Sequence, residues 1–178
     1  MQISEWTTLF TRLSCIFRKI QSNQNFLNNL INHINYSTIM TIEESQQEII
    51  EEFQDFDDWM DRYQLLIDMG NEQEPLPEQY KTESNLIDGC QSRVWLVADR
   101  KEDGTIEFKA ESDALIVKGI VTLLIRALSG HTAKEILEAD LHFINDIGLR
   151  EHLSPTRSNG LLAMLKQMKL YAMAYAAH

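Results

Sequence analysis

Behind Thr41 the apolar residues Ile42, Ile49, Ile50, Phe53, Phe56, Met60, Tyr63 and Ile67 recur at three- and four-residue steps, with acids mostly between them. That spacing predicts one amphipathic helix. Thr41 and Glu44 have the spacing of a capping box at its start, and Gly70 is read as its stop. Residues 71–88 contain Pro75 and Pro77 and no periodicity, which reads as a surface connection. From Arg93 to Asp99 the chain turns β-branched and aromatic, as a buried strand does. Glu102-Asp103-Gly104 is hairpin-turn chemistry, after which Ile106, Phe108 and Ala110 alternate with Glu107, Lys109 and Glu111 as a half-buried partner strand. A meander of two or three antiparallel strands is expected. The stretch 114–129 is apolar nearly all round and predicts a core helix, capped by Ser112 or Asp113 and ended by Gly130. Thr132 and Glu135 repeat the capping-box spacing for a shorter helix. Ser154 as N-cap and Pro155 at the first helical position open a last helix towards Ala176, with Leu161, Leu162, Leu165, Met168 and Tyr175 expected on its core face. The fold class is α+β, a small antiparallel sheet packed against helices.

Charge divides the chain more sharply than hydropathy does. The 178 residues carry a net −11, yet residues 43–88 hold 15 acids against Arg62 and Lys81, a net of −13. Residues 89–178 have 11 acids and 11 bases and are balanced. Acidity on this scale argues against nucleic acid or an anionic membrane surface as partner. Residues 1–39 have one acid (Glu5), three bases (Arg12, Arg18, Lys19) and six Asn, with no apolar stripe. They lack the apolar core and cleavage site of a signal peptide. No run is long enough to span a membrane. The expectation is a poorly ordered extension or a mis-assigned start over 1–39, with Met40 as the natural alternative start, and one compact domain over 41–178. Two cysteines, Cys15 and Cys90, make no disulfide framework, and free thiols fit a reducing, cytoplasmic setting.

Most candidate chemistry drops away on spacing. No GxxxxGKS or GxGxxG is present. His33, His131, His142, His152 and His178 lack zinc-ligand spacing, and Asp55, Asp57, Asp58 and Asp61 lack the glycine and distal Glu of a calcium loop and read as a solvated helix face. Cys90 differs. It follows Gly89 in Ile87-Asp88-Gly89-Cys90-Gln91-Ser92, between a polar connection and the first strong strand. A cysteine in such a turn can present its sulfur to a visitor or pack inertly, and both readings stand. A nucleophilic role needs a depressed pKa from a nearby cation, for which Arg93 is local and Arg157 is a candidate, whereas Asp88 opposes it. Cys15 reads as incidental.

The string Gly89-Cys90-Gln91-Ser92-Arg93-Val94-Trp95-Leu96 resembles the SufE family of sulfur-acceptor proteins. Leu76-Pro77, Ser112-Asp113-Ala114, Val117-Lys118-Gly119 and the stretch from Leu153-Ser154-Pro155 to Arg157-Ser158-Asn159-Gly160-Leu161 match in the same order. The similarity runs from about residue 41 to the end. It implies a fold shared with IscU-type scaffold proteins and a role in iron–sulfur cluster assembly. It also implies that Cys90 takes persulfide sulfur from a SufS-like cysteine desulfurase, stimulates that enzyme, and delivers the sulfur to a Suf-type scaffold complex. The chain is then a sulfur carrier rather than a stand-alone enzyme. No cofactor or metal is implied on this chain; pyridoxal phosphate belongs to the partner. Weaker roles fall to Gln91 and Ser92, which fix the loop by hydrogen bonds, to Asp113, which caps the buried helix and shapes the loop, and to Arg157, which either steadies a thiolate or pairs with an acid. His152 is a surface or partner-facing residue. A non-catalytic adaptor that activates a desulfurase by binding alone is the alternative, and a thiol-dependent antioxidant enzyme a weaker third.

Overall fold

The computed structural model describes residues 40–177, and the expectations for residues 1–39 and Cys15 fall outside them. Where one long helix is predicted over 41–70 there are two, α1 (Ile42–Gln54) and α2 (Trp59–Glu72). The capping box forms as expected: the Glu44 N–H donates to Thr41 Oγ1 at 3.2 Å and the Thr41 N–H to Glu44 Oε2 at 2.7 Å. The break falls at Asp55-Phe56-Asp57-Asp58, where short acidic side chains compete for backbone donors and favour caps over helix interiors. Asp58 Oδ1 accepts the Met60 N–H at 2.6 Å and starts α2. Arg62 reaches back to the Phe56 carbonyl at 2.8 Å, satisfying an acceptor freed by the break. The break turns Met60 out of the apolar stripe to 72% exposure. These aspartates are therefore a joint and a cap, not one face of a continuous helix.

Gly70 does not stop α2. It lies inside the helix, against Gly119 of α3 (Leu115–Leu128). A Cβ on Gly119 would overlap the Leu66 carbonyl oxygen and fall 2.6 Å from its carbon, so α2 and α3 cross backbone to backbone. The segment that follows is less of a surface loop than its composition predicts. It makes two short 3-10 turns (Glu78–Tyr80, Glu83–Asn85), buries Leu76 and Ile87, and bridges Leu86 to Trp95.

Strands β1 (Val94–Arg100) and β2 (Thr105–Ser112) pair antiparallel, from Val94 opposite Ser112 to Arg100 opposite Ile106. A two-residue β3 (His131–Thr132) pairs with Thr105 and Ile106, in the order β1-β2-β3. The third strand follows α3, so the sheet is not a simple meander. Val94, Leu96, Ile106, Phe108 and Ala110 belong to one core with Ile120, Leu123, Leu124 and Leu128 of α3. The second capping box starts α4 (Ala133–Glu138), and two single-turn helices follow, α5 (Phe143–Asp146) and α6 (Leu149–His152). Helix α7 (Pro155–Ala176) opens with Ser154 and Pro155 as read, although the Ser154 hydroxyl makes no cap bond. Its buried stripe is Gly160, Leu161, Met164, Met168 and Ala172; Leu162, expected inside, is 51% exposed. The Tyr171 and Tyr175 hydroxyls donate to the Leu96 and Ala98 carbonyls at 3.1 and 2.7 Å, so α7 covers the free edge of β1. The α+β class expected from the pattern is the one observed.

Candidate functional site

Cys90 stands in the loop from Asp88 to Arg93, and both ends of that loop are tied. The Ile87 N–H donates to the Val94 carbonyl at 2.8 Å. At the other end the Arg93 N–H donates to Asp113 Oδ1 at 3.0 Å, and the Asp113 N–H to the Arg93 carbonyl at 3.3 Å. Asp113 therefore closes the cysteine loop and does not cap α3. Ala114 holds the N-cap position without a side-chain bond, and Ser112 Oγ accepts only the Ala114 N–H, at 3.2 Å. Gly89 has a φ of +86°, a conformation L side chains rarely adopt, so the turn into Cys90 requires glycine.

The loop folds down onto α7. A cavity of about 270 Å³ opens beside the sulfur. The loop contributes Cys90, Gln91 and Ser92 to its walls, α3 contributes Val117, and the start of α7 contributes Ser154, Thr156, Arg157, Gly160 and Met164. Cys90, Gln91, Ser92 and Arg157 are thus brought together on one cavity, and Asp113 holds the loop that frames it.

The electrostatics describe a resting thiol. Burial pushes Cys90 up from its ordinary pKa, a hydrogen bond from the Ser92 backbone N–H opposes that, and the Asp113 charge pushes it up further. Arg93 is not aimed at the sulfur: its guanidinium lies over the Trp95 ring at 4.9 Å and reaches Glu83 at 3.5 Å. Arg157 is exposed and makes no ion pair among the described residues, which leaves its charge available to the cavity. The side chains of Gln91 and Ser92 make no hydrogen bond among the described residues; the contribution to the sulfur comes from the Ser92 backbone. His152 lies outside the cavity. Its ring stacks on Trp59 at 3.8 Å, and its Nδ1 is 3.0 Å from the Gly148 carbonyl.

A raised pKa has a direct kinetic expression, because only the thiolate alkylates. In a Cys15→Ser background, Cys90 is expected to react with iodoacetamide more slowly at pH 7.5 than a free thiol. The midpoint of its rate–pH profile should lie above about pH 8.5, the midpoint of an unperturbed thiol. A midpoint below that pH would contradict a thiol held protonated by its surroundings.

Val117 and Gly160 stand in the matched stretches without a role of their own, and Met164 has only the pattern of a packing residue in the last helix. Gly160 does leave a signal: a glycine five residues beyond Pro155, inside a helix, costs about 1 kcal/mol relative to alanine and calls for a packing reason. Among the described residues no three His, Cys, Asp or Glu side chains are grouped to hold a metal ion, and no helix is long and apolar enough to cross a membrane.

A single cysteine in a tied loop, over a cavity at the start of a long helix in a three-stranded α+β fold, defines a small thiol-presenting protein. The family model described as "SufE: Fe-S metabolism associated domain" matches residues 47–172, and the chain belongs to the SufE family. Its role accordingly lies in the sulfur metabolism of iron–sulfur clusters. An uncharacterised SufE-like protein of Rhizobium meliloti (strain 1021) is 41% identical over 116 residues, covering 63% of this chain and 83% of the relative. The solution structure of a hypothetical protein from Thermus thermophilus has the same fold, with a TM-score of 0.62 over 75% of this chain and 97% of that one, at 24% identity.

Proposed function

We propose that Cys90 accepts sulfane sulfur from the persulfide of a SufS-like cysteine desulfurase and passes it to a Suf-type iron–sulfur scaffold complex. The observation that carries this reading is the placement of the one described free cysteine in a closed loop beside a cavity with room for a further sulfur atom. Transfer is an exchange at sulfur. The Cys90 thiolate attacks the terminal sulfur of the donor persulfide, the donor S–S bond breaks, and the donor thiolate leaves with the bonding pair and takes up the proton Cys90 gave up. Nothing is oxidised or reduced overall, so the step needs no cofactor on this chain; pyridoxal phosphate serves the desulfurase.

The residues around Cys90 suit separate parts of that exchange. Asp113 holds the loop closed and favours the neutral thiol at rest. Arg157 offers a positive charge to the thiolate and to the persulfide that replaces it. Docking that loosens the Arg93–Asp113 pair would lessen both the burial and the repulsion acting on the sulfur. A cytoplasmic setting belongs to the same reading, since a stored persulfide needs its free cysteine kept reduced between cycles.

The relay and the adaptor separate on one variant. With a SufS-like desulfurase and cysteine, the wild-type protein is expected to accelerate sulfide release in the presence of a reductant, and Cys90→Ser to lose that stimulation almost completely. Stimulation retained by Cys90→Ser, with no sulfur carried by the wild-type chain, would establish the adaptor.

A further inference from the structure

We propose that Gly160 is a positioning residue, whose missing side chain forms the niche that holds the Cys90 sulfur against α7. The proposal deepens the sulfur-acceptor reading of the same site and takes Cys90 as the group to be positioned. A Cβ built on Gly160 would lie 3.0 Å from Cys90 Sγ and, its two chain neighbours and the nearby backbone of its own helix apart, would meet no other atom within 4 Å among the described residues. Ordinary carbon contacts begin at about 3.5 Å. The absent methyl is therefore complementary to the sulfur and to nothing else. Gly160 is buried within α7, where alanine is the better helix former, so local helix stability does not explain a glycine here. The loop makes its other approach to the same side of α7, where a Cβ on Gly89 would touch the Ala163 Cβ at an ordinary 3.8 Å. Of these two approaches of the loop to α7, only the one at Gly160 leaves no room for a side chain.

The consequence for Gly160→Ala follows from which partner can yield. The methyl would sit on a long helix that also packs on β1, whereas the sulfur sits on a short loop. The loop lifts, and the sulfur moves away from the helix. It then loses burial, the main influence that keeps it protonated. A persulfide carried there also loses cover on the α7 side. The niche sets how deeply the sulfur rests, and through that depth how fast Cys90 reacts with partners other than the docked one.

Three measurements test this in a Cys15→Ser background. Gly160→Ala is expected to raise the iodoacetamide rate of Cys90 at pH 7.5 several-fold, up to about tenfold for each unit by which the thiol's midpoint falls, and to move the rate–pH profile to lower pH. Melting supplies a readout independent of reactivity: Gly160→Ala should raise the melting temperature more when Cys90 is alanine than when it is cysteine, because the clash is with the sulfur. An unchanged alkylation profile together with additive melting shifts would overturn the proposal. Sulfur uptake from a desulfurase, read by intact mass, keeps the two ideas apart. Faster alkylation in Gly160→Ala with no sulfur on either protein upholds the niche and removes the sulfur-acceptor reading. Equal sulfur uptake with unchanged alkylation does the reverse.

Discussion

Gly119→Ala is expected to lower the melting temperature by about 10 °C, from a cost of about 3 kcal/mol or more at roughly 2–4 °C per kcal/mol for a domain of this size. The new Cβ would overlap the Leu66 carbonyl oxygen and lie 2.6 Å from the Leu66 carbonyl carbon and 3.0 Å from its Cβ. A crowded side-chain tip can swing aside, but backbone inside a helix moves only with its helix. The approach from the other side is also too close for a side chain, since a Cβ on Gly70 would fall 2.9 Å from the Gly119 nitrogen. Helices α2 and α3 must therefore separate, opening the core around Leu66, which is fully buried. Val117, two residues before Gly119, lines the Cys90 cavity, so the disturbance should reach the site as well. Gly104→Ala provides the contrast: nothing lies within 4 Å of its Cβ, and only its φ of +86° is strained, a cost of about 1–2 kcal/mol. Thermal unfolding followed by circular dichroism measures both. Equal losses in the two variants would contradict the backbone crossing.

The second large effect concerns the buried ion pair between β2 and α3. Lys118 Nζ lies 2.9 Å from Glu111 Oε1, with the two side chains 15% and 11% exposed. Burial by itself would push Glu111 up; the hydrogen bond and charge of Lys118, with the Ser112 N–H at 3.2 Å, outweigh it and hold the carboxyl below its ordinary pKa. A carboxyl depressed in the folded state stabilises the protein above its unfolded pKa, and that stability is lost as pH falls through the folded value. Lys118→Met removes the largest compensation and leaves burial, the strongest single influence, opposed only by the Ser112 N–H and the Lys81 charge, so Glu111 should then titrate above its ordinary range and the sign reverses. The variant is expected to lose about 3 kcal/mol at pH 7 in urea unfolding and to recover part of that difference as the solution is acidified towards pH 4.5. Lys118→Met/Glu111→Leu should restore most of the loss, because the stranded charge and not the missing pair carries the cost. Full stability of Lys118→Met at pH 7 would contradict this.

Local rules made most of the fold legible. Both capping boxes, the β1–β2 hairpin, the core helix and the Ser154-Pro155 start of α7 depend on residues within a few positions of one another, and each forms where its spacing places it. Expectations failed where distant parts of the chain decide. The stripe from Ile42 to Ile67 continues across Asp55–Asp58 in projection, but the carbonyl freed there finds Arg62, and Arg62 also binds the Ile147 carbonyl at 3.2 Å, a residue the pattern gives no reason to consider. Gly70 has the composition of a helix stop, yet serves as half of a helix crossing whose partner lies 49 positions away. At the site, the motif around Cys90 marked the loop and the C-terminal stretch marked Arg157; of the two tasks read for Asp113 only the shaping of the loop holds, because its carboxylate meets the Arg93 backbone across the β1–β2 pair instead of capping α3. Gly160 stood in the matched C-terminal stretch without a role of its own; the role the structure suggests lies with a sulfur atom 70 positions earlier in the chain.

Sulfur acceptance at Cys90 is read most directly by intact mass. In a Cys15→Ser background, incubation with a SufS-like cysteine desulfurase and cysteine should add about 32 Da per transferred sulfur, and a reductant should remove it. Cys90→Ser in the same background should gain nothing. A gain of the same size in Cys90→Ser, or no gain in the protein that retains Cys90, would contradict a persulfide carried on this cysteine.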